Sequence, residues 1–410
     1  MTQTPTRRGS RPDGAGRRAA PRRGRSRLRW AVLLLVGALL AGLLVWALLQ
    51  PGSKDSAGQP PAATPVQPVQ PVTAISAAML PPIVQRGARP AAADKAAALV
   101  QVDAKVTASG GEVTLQVRRD GDWGTVETTP LDKDGHATFA QPADLRPRQE
   151  MRVVAGDGAV ASSTFTSKDW KLGFDDEFTG VDLDQTKWSY RQLGIQSGDS
   201  GRSRSESSAD AVAVENGALK LSTLQNPAAP GHYLNGHVGT DTTYSFTYGV
   251  SAARIKFQKP SGMHGSFWMQ SPVFGSVPGD AKASGTEIDT VEYFGSEYMQ
   301  GGLASFTYYL DQASQKVKSG GMVPQASRAL APNDAWWKKY HVFSVEWTPK
   351  HYVFRVDGIE TQRMTTGISG VPEFLVLSLL SSDWELKDLD ESTLPAAMKV
   401  DWVRVWQPKA

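Results

Sequence analysis

Alternation of apolar and polar residues recurs along the second half of the chain, and this period of two predicts β-strands. Examples are ALKLST, GVSAARIKF, HVFSVEW, HYVFRVDG and MKVDWVRVW. Glycine and proline mark the turns between these runs, and long stretches with apolar residues at helical spacing are missing. Residues 167–410 are therefore expected to form one all-β domain, a sandwich of two antiparallel sheets.

A shorter segment with the same pattern precedes this domain. In EVTLQVRR, Val113, Leu115 and Val117 share one face of a strand, and EMRVVAGDG predicts another strand. RRDGDWG and LDKDGHATF supply the turn residues between such runs. Residues 91–166 are therefore expected to form a small β-sandwich that resembles immunoglobulin-like modules.

An uninterrupted apolar run, AVLLLVGALLAGLLVWALL, occupies residues 31–49 and contains no charged residue. As a helix it would span roughly 28 Å, about the thickness of a bilayer's hydrocarbon core. A cleaved signal peptide is the alternative, but its apolar region is normally about 7–15 residues long. We therefore predict that residues 30–50 form a single transmembrane helix that acts as a signal anchor.

Charge is distributed unevenly along the chain. The whole sequence has 44 Lys and Arg against 41 Asp and Glu, but residues 1–29 hold ten Arg and one acid. Without that tail, 34 basic and 40 acidic residues remain, so the composition gives no reason to expect a nucleic-acid partner. Beside an apolar span the Arg-rich tail is expected to stay in the cytoplasm, which places the rest of the chain outside the cell membrane.

The segment between the apolar run and the first sandwich is rich in Pro and Ala. Residues 51–90 include ATPVQPVQPV and few charges, and they are expected to form an extended linker. The chain has no Cys, which excludes disulfides and thiol catalysis. None of these features indicates an oligomeric state.

Three carboxylates stand close together in GTEIDTVEYFG, residues 285–295. Glu287, Asp289 and Glu292 lie among Ile, Thr, Val, Tyr and Phe residues, which favour a strand. Like charges side by side on a sheet repel each other. The cluster therefore indicates catalysis, a solvated acidic strand or a cation site.

The spacing of these carboxylates predicts a β-bulge. In a regular strand Glu287 and Asp289 share a face and Glu292 points to the other face. One extra residue near Thr290–Val291 would turn all three to one face, with the α-carbons of the outer pair about 13 Å apart. Retaining glycosidases need two carboxyl groups about 5–5.5 Å apart, and adjacent negative charges raise the pKa of one of them.

The sequence EIDTVE resembles the signature of glycoside hydrolase family 16, in the bulged form with two residues between Asp and the second Glu. Further segments resemble the family in the family's order: WKLGFDDEFTGVDLDQTKW (170–188), VENGALKLST (214–223), YGVSAARIKF (248–257), SFWM (266–269), YHVFSVEWTPKHYVFRVDG (340–358) and MKVDWVRVWQ (398–407). This resemblance, to a membrane-anchored bacterial form, implies a concanavalin-like jelly roll with a substrate groove across its concave face.

The resemblance also implies an activity. It makes the chain a retaining endo-glycosidase that cleaves β-linked polysaccharide by double displacement. Glu287 would be the nucleophile, Asp289 its hydrogen-bonding helper and Glu292 the general acid/base. A cofactor would not be required. Transglycosylation on the same residues and a non-catalytic carbohydrate-binding sandwich are the alternatives.

Further site residues follow from the resemblance. Trp268 is expected to be a stacking platform for a sugar ring, and Arg254 and Trp384 are expected to line the groove. A structural calcium on the convex side would use the Asp401 side chain and the Gly217 carbonyl, with Glu177 as a neighbour. The alternative is that Asp401 caps a strand or pairs with a Lys or Arg. The six His show no zinc-ligand spacing.

The chain departs from the family's pattern where sugars are selected. His264 and Gly265 stand where many members have Trp-Pro, Ser378 stands where an Asn is common, and LASFTYYLD lacks a common His. These differences put ordinary β-1,3-glucan specificity in doubt. The expected substrate is a β-1,3- or β-1,3/1,4-glucan, a galactan or a polymer of the cell envelope.

Overall fold

The computed structural model describes residues 72–81, 83, 98–107, 110–142, 144–192, 194, 201–324, 326, 330–331 and 333–409. The predicted Arg-rich tail (1–29), the predicted anchor (30–50) and most of the predicted linker lie outside these residues. Among the described residues, every helix is too short or too polar to cross a bilayer. The strands account for nearly all of the regular structure described.

The N-terminal part of the described chain is a small β-sandwich. Its strands are β1 (Val72–Leu80), β2 (Leu99–Val106), β3 (Glu112–Arg119), β4 (Asp122–Pro130), β5 (His136–Ala140), β6 (Glu150–Ala155), β7 (Val160–Ala161) and β8 (Phe165–Thr166). They form two sheets, ordered β1-β2-β5 and β4-β3-β6-β7, with β8 beside β6. Val113, Leu115 and Val117 are buried in the shared core, as their alternation predicted. Assignment of this sandwich to the immunoglobulin-like class stays a prediction.

The sandwich begins earlier than the sequence indicated. Residues 72–80, which fall in the predicted linker 51–90, form strand β1 and pair antiparallel with β2. Val72, Ile75 and Met79 of this strand are buried in the module's core. The strand was missed because its remaining side chains are mainly Ala, Ser and Thr, which give only a weak strand pattern beside a proline-rich run.

Residues after 167 form the larger domain. Its strands are β9 (Trp170–Asp176), β10 (Ser189–Tyr190), β11 (Ser205–Ser207), β12 (Val212–Glu215), β13 (Ala218–Gln225), β14 (Tyr233–Gly239), β15 (Gly249–Lys256), β16 (His264–Gln270), β17 (Glu287–Tyr293), β18 (Leu303–Leu310), β19 (Lys316–Met322), β20 (His341–Trp347), β21 (Tyr352–Val356), β22 (Ile359–Met364), β23 (Phe374–Leu380) and β24 (Ala396–Pro408). The short helix α1 (Ala281–Ser284) precedes β17, and 3-10 turns lie at Ala209–Ala211, Met299–Gly301, Leu386–Asp388 and Glu391–Thr393.

These strands join into one sheet that folds over into two layers. The order is β19-β18-β17-β16-β23-β14-β13-β24-β15-β20-β21-β22, with β9 to β12 paired beside it. Phe267 of β16 and Ile288 of β17 share one core with Phe343 of β20. At the two ends of the order, Gln362 Nε2 of β22 donates to the Gly321 carbonyl of β19 at 2.9 Å. The predicted all-β jelly-roll sandwich is confirmed, and its sheet is nearly closed.

The layer that contains β15, β20 and β24 packs with its outer face against the small sandwich. Leu80 and Ile83 pack there with Val250, Ala252 and Trp402. Apolar residues on both faces of β15 are therefore buried, one set in the domain core and one set under the small sandwich. The open face of the first layer, formed by β14 and β16 to β19 together with β23, is left for a site.

A largely buried ion-pair cluster lies within the larger domain, at the point where its chain begins. Lys168 Nζ lies 2.7 Å from one oxygen of Glu346, and Arg355 Nη2 lies 3.1 Å from the other. Burial alone would raise the pKa of Glu346, but the charges of Arg355 and Lys168 lower it to about 2. Glu346 is therefore ionised at neutral pH and holds Lys168, at the start of the larger domain, against β20.

Candidate active site

A β-bulge in β17 positions the candidate catalytic side chains. Asp289 pairs with Phe306 and Glu292 pairs with Ala304 across the β17–β18 ladder, so the two β17 residues between these pairs lie opposite a single residue of β18. The extra residue is Thr290, because Phe267 pairs with Val291 and Trp268 with Asp289 on the other side. The register shift lies where the sequence predicted a bulge.

The bulge separates apolar and acidic side chains. Ile288 and Val291 are buried in the core between the layers. Glu287, Asp289 and Glu292 line the opposite side, in a cavity of about 520 Å³. The Thr290 carbonyl at the bulge accepts a hydrogen bond from Ser305 Oγ at 2.9 Å, which satisfies a backbone group at the irregular position.

The cavity is polar and draws residues from several strands. Its lining comprises the three carboxylates together with Gln192, Arg202, His237, His264, Ser266, Trp268, Gln270, Lys316, Ser378 and Leu380. Alternation places these side chains: along β16, residues 264, 266, 268 and 270 face the cavity, while Phe267 and Met269 face the core. The structure therefore brings Glu287, Asp289, Glu292 and Trp268 together in one site.

Glu287 and Asp289 have different surroundings. Lys316 Nζ lies 3.2 Å from Glu287 Oε1, and Gln270 Nε2 lies 3.5 Å from Glu287 Oε2. Asp289 is only 4 % exposed. Burial raises the pKa of Asp289 well above its usual range, and the charges of Glu292 and Glu287 add to the rise. Asp289 is therefore expected to be a neutral carboxylic acid beside an ion-paired carboxylate.

A buried histidine lies beside Glu292. His264 Nδ1 is 2.7 Å from Glu385 Oε2, and Glu385 Oε2 also accepts from the Ser382 amide at 2.9 Å. Burial would lower the pKa of His264, but the charge and hydrogen bond of Glu385 and the charge of Glu292 give a net rise. The pKa of Glu292 is also raised, mainly by burial. The charge of His264 opposes this rise, whereas the charges of Glu287 and Glu385 add to it.

Two tryptophans were predicted to contact sugar, and the structure separates them. Trp268 lies in the cavity, where its Nε1 donates to Ser378 Oγ at 3.1 Å and the Arg191 guanidinium lies 5.4 Å from its ring centre. Trp384 is 49 % exposed and lies beside Phe294, with ring centres 6.1 Å apart. It does not line the cavity, but it is adjacent in the chain to Glu385, which is hydrogen-bonded to the cavity residue His264.

Arg254 is not in the groove, which corrects the sequence prediction. It lies on β15 in the other layer, on the same outer face as Val250 and Ala252. Its Nη1 is 2.6 Å from Asp401 Oδ2, and its guanidinium lies 4.7 Å from the ring centre of Tyr340. The prediction was wrong because a strand pattern separates two faces but does not show which face is the concave one.

The residues proposed for calcium do not fit a cation. Asp401 is bonded to Arg254, and Glu177 accepts two hydrogen bonds from Arg404, at 2.7 and 2.9 Å. A guanidinium thus already neutralises each carboxylate. Gly217 lies in the turn between β12 and β13. Among the described residues, no group of three or more His, Cys, Asp or Glu is arranged to hold a metal ion.

The sequence analysis did not predict several charged residues at or beside the cavity, among them His264, Glu385 and Lys316. His264 was noticed only as a departure from the family's pattern, and its partner Glu385 is 121 positions away. Lys316 contacts Glu287 from a different strand, 29 positions away. Only their pairing across strands brings them to the carboxylates, and no local motif marks that pairing.

Comparison with known proteins assigns the family. The sequence model described as glycosyl hydrolases family 16 matches residues 199–404. The chain therefore belongs to glycosyl hydrolase family 16, and the resemblance found in its sequence is confirmed. The predicted enzyme class, a glycosidase, is the class that defines this family.

Individual relatives are distant. Keratan-sulfate endo-1,4-beta-galactosidase of Sphingobacterium multivorum is 26% identical over 273 residues, which cover 62% of this chain and 60% of that protein. Glucan endo-1,3-beta-glucosidase A1 of Niallia circulans is 27% identical over 266 residues, which cover 58% and 38%. The laminarinase catalytic domain from Thermotoga maritima aligns with a TM-score of 0.47 at 22% identity, covering 59% of this chain and 100% of that one. The chain thus spans less than two thirds of the length of either relative.

Proposed function

We propose that this protein is a retaining endo-acting glycoside hydrolase that cleaves a β-linked polysaccharide. The observation that carries the proposal is the bulge at Thr290, which turns Glu287, Asp289 and Glu292 toward one open cavity in a chain of family 16. All three carboxylates are present, which argues against a sandwich that binds sugar without cleaving it. The two relatives bear the names of endo-glycosidases, which favours transfer to water over transfer to another sugar.

The surroundings of the two glutamates support a division of roles. The carboxylate of Glu287 is held by the ammonium group of Lys316, and we assign Glu287 as the nucleophile that attacks the anomeric carbon. Glu292 is in surroundings that favour its protonated form, so it donates a proton to the departing glycosidic oxygen. In the second step Glu292, now ionised, takes a proton from water while that water displaces Glu287 from the sugar.

Asp289 fits the role of a helper between them. Burial and the neighbouring charges raise the pKa of Asp289 and so favour its neutral form, whose hydroxyl can donate a hydrogen bond to the carboxylate of Glu287. Such a bond would orient Glu287 and stabilise the carboxylate when it leaves the glycosyl-enzyme. Trp268, fixed by Ser378 and Arg191, is proposed as the surface on which a sugar ring packs.

The substrate is proposed to be a β-glucan, a β-galactan or a glycan of the cell envelope. The printed names of the two relatives include one galactan-acting and one glucan-acting enzyme, so the family relationship alone leaves the sugar open. The apolar run 31–49 and its Arg-rich flank support a further part of the proposal, a single-pass membrane anchor with the enzyme outside the cell.

The proposal is tested by product analysis on a panel of polysaccharides. The protein is incubated with β-1,3-glucan, β-1,3/1,4-glucan, β-galactans and envelope glycans, and products are followed by size and by NMR of the anomeric proton. We expect oligosaccharides of intermediate length that first appear in the β-configuration. Inverted products or release of single sugars from chain ends would contradict a retaining endo mechanism.

Replacing His264 by Gln is expected to shift the alkaline limb of the pH profile of kcat/KM to higher pH. The reason is that the His264 charge lowers the pKa of Glu292, the proposed proton donor. The other groups acting on Glu292 are Glu287, Asp289, Glu385 and Lys318. The profile is measured on whichever polysaccharide of the panel is cleaved.

His341→Gln is the matched control for this shift. His341 is also buried and its Nδ1 lies 2.8 Å from a carboxylate oxygen of Asp357, but it stands on β20 in the other layer. The control profile should keep the native limb. If both variants move the limb equally, or if neither does, His264 does not tune Glu292.

A further inference from the structure

Two lysines of strand β19 lie over aromatic rings beside the candidate active site. Lys316 Nζ is 4.1 Å from the ring centre of Tyr308, and Lys318 Nζ is 3.5 Å from that of Phe306 and 5.4 Å from that of Tyr308. Both rings belong to β18, the strand next to β17. The aromatic surface in this part of the groove is therefore covered by ammonium groups.

Register places Lys318 in one row with the proposed nucleophile. Glu287 pairs with Tyr308, and Tyr308 pairs with Lys318. Side chains paired across antiparallel strands lie on the same face of the sheet, so Lys318 faces the same groove as Glu287, two strands away or roughly 10 Å. Its charge lowers the pKa of both Asp289 and Glu292, against the stronger effect of burial, which agrees with this direction.

The two lysines differ in their partners. Lys316 lines the cavity and is paired with Glu287. Lys318 is exposed, and among the described residues it has cation–π contacts but no ion-pair partner. A ring face holds an ammonium in place without neutralising it. Lys318 thus presents to the groove beside the carboxylates a positive charge that is not held in a direct ion pair with any described residue.

Protection of a sheet edge does not account for this geometry. β19 ends the strand order, and lysines are common on such edges because they discourage pairing with another chain. A lysine with that task needs only to reach solvent. Lys316 and Lys318 instead lie across the rings of the neighbouring strand and face the acidic residues of the site.

We propose that Lys318, together with Lys316, forms a subsite for an anionic substituent of the glycan, a sulfate or a carboxylate, on a sugar next to the cleaved bond. This inference rests on the proposed function, because it takes the cavity as the glycan site. The substrate class is then an anionic polysaccharide. Sulfate and uronate carboxylate share the chemistry that an ammonium recognises, and paired substrates distinguish them.

The test measures binding separately from cleavage. The full chain carrying Glu292→Gln, which is expected not to turn over substrate, is titrated with two polysaccharide pairs at constant ionic strength. One pair is keratan sulfate and its chemically desulfated form; the other is a β-glucan and the same glucan oxidised to the uronate at C6. The readout is the ratio of the affinity for the anionic member to the affinity for the neutral member.

We expect a ratio above one for at least one pair, and that pair identifies the anion. Adding Lys318→Met should lower the ratio by about tenfold, since hydrogen bonds to charged groups are worth more than neutral ones. Lys318→Arg should retain most of it. Lys350→Met, at an exposed turn between β20 and β21, should leave the ratio unchanged.

Three results would overturn the subsite. These are a ratio at or below one for both pairs, an unchanged ratio after Lys318→Met, and an equal loss after Lys350→Met. Cleavage by the native chain is followed in parallel on the same polysaccharides. Selective binding without any cleavage would reject the proposed hydrolase and retain the anionic subsite. Cleavage without selective binding would support the hydrolase and reject the anionic subsite.

Discussion

Replacing Glu287 by Gln is expected to reduce hydrolysis by about 10³-fold or more, because an amide cannot form the glycosyl ester on which double displacement depends. The substitution keeps the size of the side chain, and its position on β17 is set by backbone pairing with β16 and β18. The loss should appear in kcat, with the thermal unfolding curve close to that of the native protein. Release of reducing ends from the cleaved polysaccharide gives the rate.

A nearby glutamate supplies the control for this experiment. Glu297 follows β17 in the chain, is exposed and does not line the cavity. Glu297→Gln should retain activity within about twofold, as is usual for surface substitutions away from special features. If Glu287→Gln keeps comparable activity, Glu287 is not the nucleophile and the proposed mechanism fails. A folded but inactive Glu287→Gln protein supports it.

The second large effect concerns stability and a buried acid behind the site. Glu373 precedes β23, is fully buried, and accepts a hydrogen bond from the Thr286 amide at 3.1 Å, next to Glu287. Its other oxygen, Oε2, has no hydrogen-bond partner among the described residues. Burial raises the pKa of Glu373 from 4.5 to about 8, so the folded protein holds a proton that the unfolded chain releases.

The sign of the pH dependence follows from this difference. Between about pH 4.5 and pH 8 the folded state binds more protons at this position than the unfolded state. The free energy of unfolding must therefore fall as the pH rises through this window. The contribution of Glu373 is most favourable at and below the unfolded pKa, and it is lost as the pH reaches the folded pKa.

Replacing Glu373 by Gln should remove this pH-dependent loss of stability. We expect the variant to gain on the order of 3 kcal/mol in the free energy of unfolding relative to native protein at pH 8, and little near pH 5. Denaturant unfolding at a series of pH values measures the difference. Glu297→Gln again serves as control, since it replaces an exposed carboxylate. Curves for native protein and Glu373→Gln that stay parallel across the window would show that Glu373 is ionised when folded.

The fold of the larger domain could be read largely from the sequence. Alternation along β16 and β24 marked which residues enter the core between the layers, because successive side chains of a strand point to opposite faces of its sheet. The first strand of the small sandwich could not be read in this way. Val72–Leu80 has few large apolar residues, and its stability comes from pairing with β2 and from the shared core.

The sequence likewise predicted some features of the candidate site and not others. The three carboxylates and the bulge were evident from the spacing of Glu287, Asp289 and Glu292, since only an added residue turns all three to one face. The direction of Arg254 was not evident. Its strand buries apolar residues on both faces, one toward the domain core and one toward the small sandwich, so the strand pattern does not distinguish outside from inside.

By itself, then, the sequence determined the family, most strands of the larger domain and the row of three carboxylates, because those depend on local spacing. Only the tertiary structure decided which charges surround that row: His264 with Glu385 on one side, and Lys316 and Lys318 on the other. These partners come from separate strands and loops. Electrostatic interaction depends on distance in space and on burial, and neither is a property of position along the chain.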